Sequence, residues 1–393
     1  METSAVDERR RFVRDFASGQ WTMTELCERY RVTRPTGYKW VARERVGGDA
    51  ALQDQSRAPH ASPHQTEVEL EALILAARRK YGWGSKKLLG VLAARYPARP
   101  WPARSTVNDI LDRHGLLRKR RHGRRWAHPG APVLQTTAAN QVWPADFKGQ
   151  FRTGDGYYCY PLTVTDHFTR RLLTCRGLPS VATSDTRPPF RALFREAGLP
   201  DAIRTDNGPP FASTGLHGLS ALNVWWMQLG IVHQRIPPAS PQANGQHERM
   251  HRELKRETTR PAAPTARAQQ RRFDQFQQRY NDERPHEALA NRTPSSLWTP
   301  STRAYPETLP RPCYPAHMEV RRVSTAGLFC WHSTPVFLSQ TLVHQDVGLE
   351  EIDDGIWNIV FYQTLLGRFD ERTRQITGVS RPLHGVKDVA GLL

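Results

Sequence analysis

Cysteine is scarce in this chain. Cys27, Cys159, Cys175, Cys313 and Cys330 are all there is, no two stand in a CxxC spacing, and Cys27 is alone in the first 150 residues. That excludes a Cys/His zinc module at the N-terminus and fits a reducing compartment. No apolar run reaches the ~18 residues needed to span a bilayer. The opening METSAVDERRRF lacks the apolar stretch of a secretory signal. A soluble, cytoplasmic protein with no membrane partner is therefore expected. Hydrophobic residues are only 38% of the 393, lean for a single large globule, and the length predicts two to four domains.

Positive charge is abundant and uneven. The net charge is +18. Residues 1–130 hold 26 Lys+Arg against 14 Asp+Glu, or +12, and the remaining 263 hold 30 against 24, or +6. A basic first third beside a nearly balanced remainder predicts a polyanion partner for that first third.

The sequence reads as all-α at the start, α/β in the middle and all-β at the end. Three short helices are expected over 8–46, at about 8–18, in TELCERY with Thr22 or Thr24 as cap, and in PTGYKWVARER with Pro35 in its first turn. A helix, a tight turn and a helix carrying Arg34, Tyr38, Lys39 and Arg43 predict a helix-turn-helix that contacts DNA. The polar stretch 48–66 reads as a linker. A second helical module is expected over 67–117, its first helix turning Val68, Leu70, Leu73, Leu75 and Ala76 inward and its third capped by Ser105. RKRRHGRR follows, with Arg118, Lys119, Arg120, Arg121, Arg124 and Arg125 in eight residues, a run suited to phosphate contact. From 140 onward strands come first, split by the turn Gly154-Asp155-Gly156, and helices interleave later, which is an α/β layer pattern. Five prolines between 299 and 316 mark a second linker. Residues 318–370 alternate apolar and polar, with turns expected at Asp353-Asp354-Gly355 and Leu366-Gly367, and read as a small β-barrel.

Three carboxylates stand out. Asp146 ends a strand in QVWPADFKGQF, Asp206 ends one in AIRTDNGPPF, and Glu248 sits near the start of a helix in PQANGQHERMHRELK. The intervals between them are 59 and 41 residues. Carboxylates converging from strand ends repel unless neutralised. Hard oxygen ligands suit Mg²⁺ or Mn²⁺, and two such ions can activate a nucleophile and stabilise the leaving oxygen of a phosphodiester. Helical spacing puts Glu248, Arg252 and Lys255 on one face and Met250 with Leu254 on another. Asp166 reads as a turn former, Trp225-Trp226 as core, and His233, His247 and His251 as packing or phosphate contacts.

The segments WPADFKGQF, TVTDHFTR, TDNGPPF, PQANGQHERMHRELK and YNDERPHEAL, in this order, resemble the integrase catalytic core of bacterial insertion-sequence transposases. The likeness is greatest to the IS481 group, relatives of the IS3 group and of retroviral integrases. It spans roughly 64–370 and is strongest at 140–295. The resemblance implies a helix-turn-helix module at 1–50, a second with a basic tail at 64–125, an RNase H-like core at 137–298 and a small barrel at 316–375. It implies an acidic triad of Asp146, Asp206 and Glu248 with a two-metal Mg²⁺ or Mn²⁺ site, Lys255 as a contact to DNA ends, and cleavage and strand transfer at terminal inverted repeats into target DNA. A homo-oligomer on DNA and a nucleoid location in a bacterium follow from the same likeness. The interval from Asp206 to Glu248 is longer than in retroviral integrases, with the extra residues expected around SALNVWWMQLG. Two other classes remain open on the residues alone: a DNA-binding protein without catalysis, and a nuclease that cuts without joining.

Overall fold

Ser4, Thr22 and Thr33 each stand in extended backbone just before a helix-forming run, and three helices begin there. The computed structural model describes residues 4–54, 65–117, 136–213, 216–236 and 245–378, in two compact units, Met1–Glu67 and Val68–Leu393. In the first unit, α1 (Ala5–Ala17) is capped by the Ser4 hydroxyl, which accepts from the Asp7 N–H. Helix α2 (Met23–Arg29) has a capping box: Glu25 accepts from the Thr22 N–H and Thr22 from the Glu25 N–H, which satisfies two backbone donors that no helical carbonyl reaches. Helix α3 (Arg34–Gly47) carries Pro35 in its first turn. Phe12, Leu26 and Val41 close the core between them. A Cβ on Gly37 would meet Met23 Sδ and Phe12 Cζ at 2.8 Å, so the glycine permits the close approach of α3. The linker expected from 48 starts later. Asp49–Leu52 forms a helical turn, and Leu52 is buried in this core.

The second unit begins with α4 (Val68–Tyr81), α5 (Ser85–Arg95) and α6 (Arg104–Arg113) around Ile74, Leu88, Leu92, Val107, Ile110 and Leu111. Three expectations fail here, the first being Ala76, which is exposed on α4. Val68 is 82% exposed, since the buried stripe runs through Leu70, Ile74, Leu75, Ala77 and Tyr81. Ser105 lies inside α6; Ala103 holds the cap position without a side-chain bond, because extended backbone ends there and not at Ser105.

The central sheet comprises β1 (Val142–Phe147), β2 (Phe151–Arg152), β3 (Tyr158–Thr165), β4 (Leu172–Leu178), β5 (Ala202–Thr205) and β6 (Val232–Arg235). Its order is β4-β3-β1-β5-β6, with β2 pairing the start of β3. Strands β4, β3 and β1 form an antiparallel meander, and β1, β5 and β6 run parallel. Helices cover both faces, as a sheet with two apolar sides requires. On one side α7 (Thr183–Ala197) and α8 (Ala221–Gln228) bring Phe190, Phe194, Trp225 and Trp226 onto Trp143, Leu162 and Ile203. On the other, α9 (Gly245–Thr258) and α10 (Ala266–Gln278) bring Met250, Leu254 and Phe273 onto Cys159, Leu172 and Cys175. Strand β4 would leave an open edge, a template for unwanted pairing. Gln270 bonds the Gly177 N–H and the Cys175 carbonyl, and Gln277 bonds the carbonyls of Leu172 and Leu173.

The segment YNDERPHEAL fastens the three-helix module to this sheet. Asn281 accepts from the Leu172 N–H at 2.9 Å and donates to its carbonyl at 2.8 Å. Tyr81 donates to Glu283 at 2.6 Å, Arg284 pairs with Glu253 at 3.0 Å, and Lys86 lies 3.3 Å from Glu287.

The proline-rich segment after 299 is strapped to the core, not loose: Arg303 donates to the carbonyls of Pro200, Leu229 and Gly230. Beyond it lie β7 (Glu319–Arg322), β8 (Leu328–Trp331), β9 (Thr334–Phe337), β10 (Asp346–Asp353), β11 (Ile356–Phe361), β12 (Thr364–Asp370) and β13 (Gln375–Gly378). The ladder is an open five-stranded sheet, β13-β12-β11-β10-β7, beside a β8–β9 hairpin. The closed barrel expected from the alternation is not what pairs among the described residues. Leu366-Gly367 lies inside β12, and the turn falls at Tyr362-Gln363, where Tyr362 takes a positive φ. This sheet shares its core with Leu219, Val224 and Met227, so α8 is buried from two sides. No helix among the described residues is long and apolar enough to cross a membrane.

Candidate metal centre

Side chains alternate across a strand, and that alternation decides what meets α9. On β1, Trp143, Ala145 and Phe147 turn to the tryptophan core, so Asp146 turns to the opposite face. On β3, Leu162 and Val164 join the same core, so Thr163 and Thr165 face α9. The antiparallel register sets Asp146 opposite Thr163. Helix α9 is amphipathic: His247, Met250, His251, Leu254 and Thr258 are buried, while Glu248, Arg252 and Lys255 are exposed.

The two aspartates sit at the carboxyl ends of neighbouring parallel strands. The register pairs Trp143 with Ile203 and Pro144 with Arg204; continued by two residues, it sets Asp146 beside Asp206. Asp146 is half-buried and Asp206 exposed. The Gly208 N–H donates to Asp206 Oδ1 at 3.2 Å, and Asn207 donates to the Ile236 carbonyl, so the Asn-Gly loop holds the carboxylate at the strand end. Glu248 lies in the first turn of α9, one residue from a side chain that grips the sheet.

That grip is a buried polar cluster. Thr163 Oγ1 donates to the Asp146 carbonyl at 3.1 Å and lies 2.7 Å from both His247 Nε2 and His251 Nε2. Thr165 Oγ1 is 3.3 Å from His247 Nδ1. His251 Nδ1 lies 3.7 Å from Asp146 Oδ2. Burial pushes the His247 imidazole down to about 3. Burial, with the neighbouring His247 and Lys148, pushes His251 down too. Both rings are neutral at pH 7, so the His251–Asp146 contact is not an ion pair. Ligand atoms of Asp146, His247 and His251 all lie within 4.8 Å of one another. Among the described residues the three carboxylates do not form such a group.

The sequence reading named both histidines but gave them packing or phosphate roles, and it missed Thr163. The signal available was their spacing of four, which stacks two side chains on one helical face. Asp166 behaves as expected of a turn former: it is buried and accepts from the Thr169 N–H, the Thr169 hydroxyl and the Asn140 N–H. Trp225 and Trp226 are core. His233 is held by Thr205 at 2.8 Å. Of the expected DNA contacts, Arg34, Tyr38 and Lys39 are exposed on α3 and Arg43 is half-buried. Arg118, Lys119, Arg120, Arg121, Arg124 and Arg125 lie outside the described residues.

Comparison with known families places a helix-turn-helix domain at residues 8–60. Two integrase core domain profiles match, one at 136–241 and one at 229–294. The chain therefore carries an integrase core domain behind a helix-turn-helix domain. Similar solved structures include the HTLV-2 integrase catalytic core domain in complex with magnesium, at 17% identity, covering 42% of this chain and 99% of that one with a TM-score of 0.34. The simian T-cell lymphotropic virus intasome is similar at 16% identity, over 74% of this chain and 97% of that one, with a TM-score of 0.38. The catalytic core domain of BIV integrase matches at 17% identity, over 40% and 93%, with a TM-score of 0.31. Superpositions this loose support no conclusion about this chain.

Proposed function

We propose that this protein is a transposase of the insertion-sequence type, which cuts DNA at element ends and joins the freed 3′ ends to target DNA. The observation that carries the reading is the sheet register, which brings Asp146 and Asp206 toward neighbouring strand ends within a matched integrase core domain. Asp146, Asp206 and Glu248 are the residues that would hold Mg²⁺ or Mn²⁺, and the donor set fits: oxygen ligands at a half-exposed sheet end, reachable by a DNA strand. A bound ion would polarise a phosphodiester and lower the pKa of an attacking water. The chain's own residues do the rest. The Asn207-Gly208 loop holds the Asp206 carboxylate, and the histidine–threonine cluster fixes α9 and with it Glu248. Arg252 and Lys255, exposed on the same helix face, supply positive charge for the phosphates of a DNA end. Arg34, Tyr38, Lys39 and Arg43 on α3 would read the terminal repeats, and the basic run 118–125 would bind the backbone. The motifs favour the IS481 group, a homo-oligomer that pairs two ends, and a cytoplasmic location on the bacterial chromosome.

The test uses purified protein with a plasmid carrying the DNA that flanks the gene, in Mg²⁺ and in Mn²⁺. Cleavage at the flanks and joined products are expected. Asp146→Asn, Asp206→Asn and Glu248→Gln should each lower both by at least about a hundredfold, the scale of losing a metal's charge stabilisation, with DNA binding intact. Full activity of any one variant removes that residue from the mechanism.

A further inference from the structure

Cations on and around α9 fall into two sets. Arg256 pairs with Glu253 at 2.6 Å and Glu257 at 3.0 Å, Arg284 with Glu253 at 3.0 Å, Arg279 with Glu257 at 3.2 Å, and Lys86 with Glu287 at 3.3 Å. Among the described residues no carboxylate pairs with Lys148, Arg252 or Lys255. Arg252 and Lys255 share the exposed face of α9 with Glu248. Lys148 comes from the sheet. Its N–H donates to the Pro161 carbonyl at 3.0 Å, which continues the β1–β3 ladder two residues past the pairing of Asp146 with Thr163. Alternation then turns Lys148 to the face of Asp146. Gly149, at φ +84°, takes the chain away after it, and Lys148 is left half-buried. Its charge is felt by His251: burial first, then His247 and Lys148, push that imidazole down.

The strand and the helix point the same way. Thr165 lies against His247, and Thr163 against both His247 and His251, so α9 runs against β3. Strand β3 runs against β1, and α9 therefore runs along β1. From Asp146 to Lys148 is about 6.6 Å of extended strand. From Glu248 to Arg252 and Lys255 is about 6 and about 10.5 Å of helix. The three cations thus lie on one side of the carboxylates, in a row that no described acidic side chain answers. A row of regularly spaced anions is what a nucleic-acid strand presents. A lysine ammonium is a compact charge that suits a single phosphate, and half-burial lowers the local dielectric and strengthens the attraction. We infer that Lys148 binds the backbone phosphate next to the one being cut, and that with Arg252 and Lys255 it makes the strand leave the carboxylates along the direction of β1 and α9. This rests on the transposase reading above and extends it to the path of the strand.

Neutralising one phosphate at a time tests this. Duplexes of the DNA that flanks the gene, each with a single methylphosphonate in the cleaved strand, are cut by the full-length protein in Mn²⁺ under single-turnover conditions. The wild type is expected to slow by about fivefold when the phosphate beside the cut is neutralised, the size of a partly screened charge pair. Lys148→Met should be slower by about fivefold on unmodified DNA, lose nothing more at that one phosphate, and keep its losses at the others. Lys148→Gln, a second neutral variant, should repeat the pattern, and Lys148→Arg, which keeps the charge, should keep most of the rate. Neutral variants that slow on every duplex and still lose at the phosphate beside the cut overturn the role of Lys148 and leave the carboxylate reading standing. A wild type that cuts none of the duplexes overturns the transposase reading and this inference with it.

Discussion

Thr163→Val is the sharpest probe of the cluster beneath the strand end. Valine matches threonine in shape and removes only the hydroxyl. Thr163 is fully buried, with His247 at 2% and His251 at 4% exposure. Without the hydroxyl, the two imidazole Nε2 atoms lose the hydrogen-bond partner they share at 2.7 Å. A buried donor or acceptor left unsatisfied costs about 1–3 kcal/mol, so two cost about 2–4 kcal/mol when partial relaxation is allowed. Thr163→Ser is the control. It keeps the hydroxyl and loses one buried methyl, worth about 0.8 kcal/mol. The chain has two compact units, so a single global unfolding transition is not assumed. Native-state hydrogen exchange of α9 and β3 amides is the measurement, read as local opening free energy. Valine should be less protected than serine by about 1–3 kcal/mol. Equal protection, or a valine variant more protected than serine, would refute the account of Thr163 as the partner both rings share.

Three further outcomes are expected. Lys255→Ala should lower joining and leave metal affinity unchanged, while Lys255→Arg keeps much of the activity, because Lys255 is exposed two turns beyond Glu248 on α9 and acts as a point charge; wild-type joining by the alanine variant counts against it. DNA binding by the whole chain should weaken with salt at a log–log slope of about −5, for roughly six phosphates neutralised; a flat response would sink the electrostatic reading. Burial holds His167 down to about 4 and His286 down to about 3, against an ordinary 6.5. The unfolded chain then binds more protons, so stability is full above pH 6.5 and falls as pH drops from there toward 4, by about 1.4 kcal/mol per pH unit for each ring. Urea unfolding of the second unit at pH 7, 6 and 5 would show it, and pH-independent stability would exclude it.

What the sequence determined by itself is what local chemistry encodes. The Thr22-x-x-Glu25 box and Pro35 start helices wherever they occur, because they satisfy or omit the N–H groups that no helical carbonyl reaches. Strand alternation and the order of strands and helices carried the α/β layer, and the text around Asp146, Asp206 and Glu248 carried the integrase core. The tertiary structure alone decided the rest. Val68 obeys helical spacing yet faces water, since which arc of α4 is buried depends on where α5 and α6 lie. YNDERPHEAL looks like a chemical motif, but its partners Tyr81, Leu172 and Glu253 come from three other elements, and only their positions show it to be a fastening. The C-terminal alternation fits an open sheet as well as a barrel, because period two says which face is buried and not which edges meet. His247 and His251 share a helix face with two core residues, and nothing along the chain says that the face opposite holds a threonine and a carboxylate. Their role is set by the pairing of β1 with β3, whose contacting residues lie 17 apart in sequence, and by a helix that joins them from 84 and 88 residues away. Contacts across such distances are fixed by packing, which no local pattern specifies.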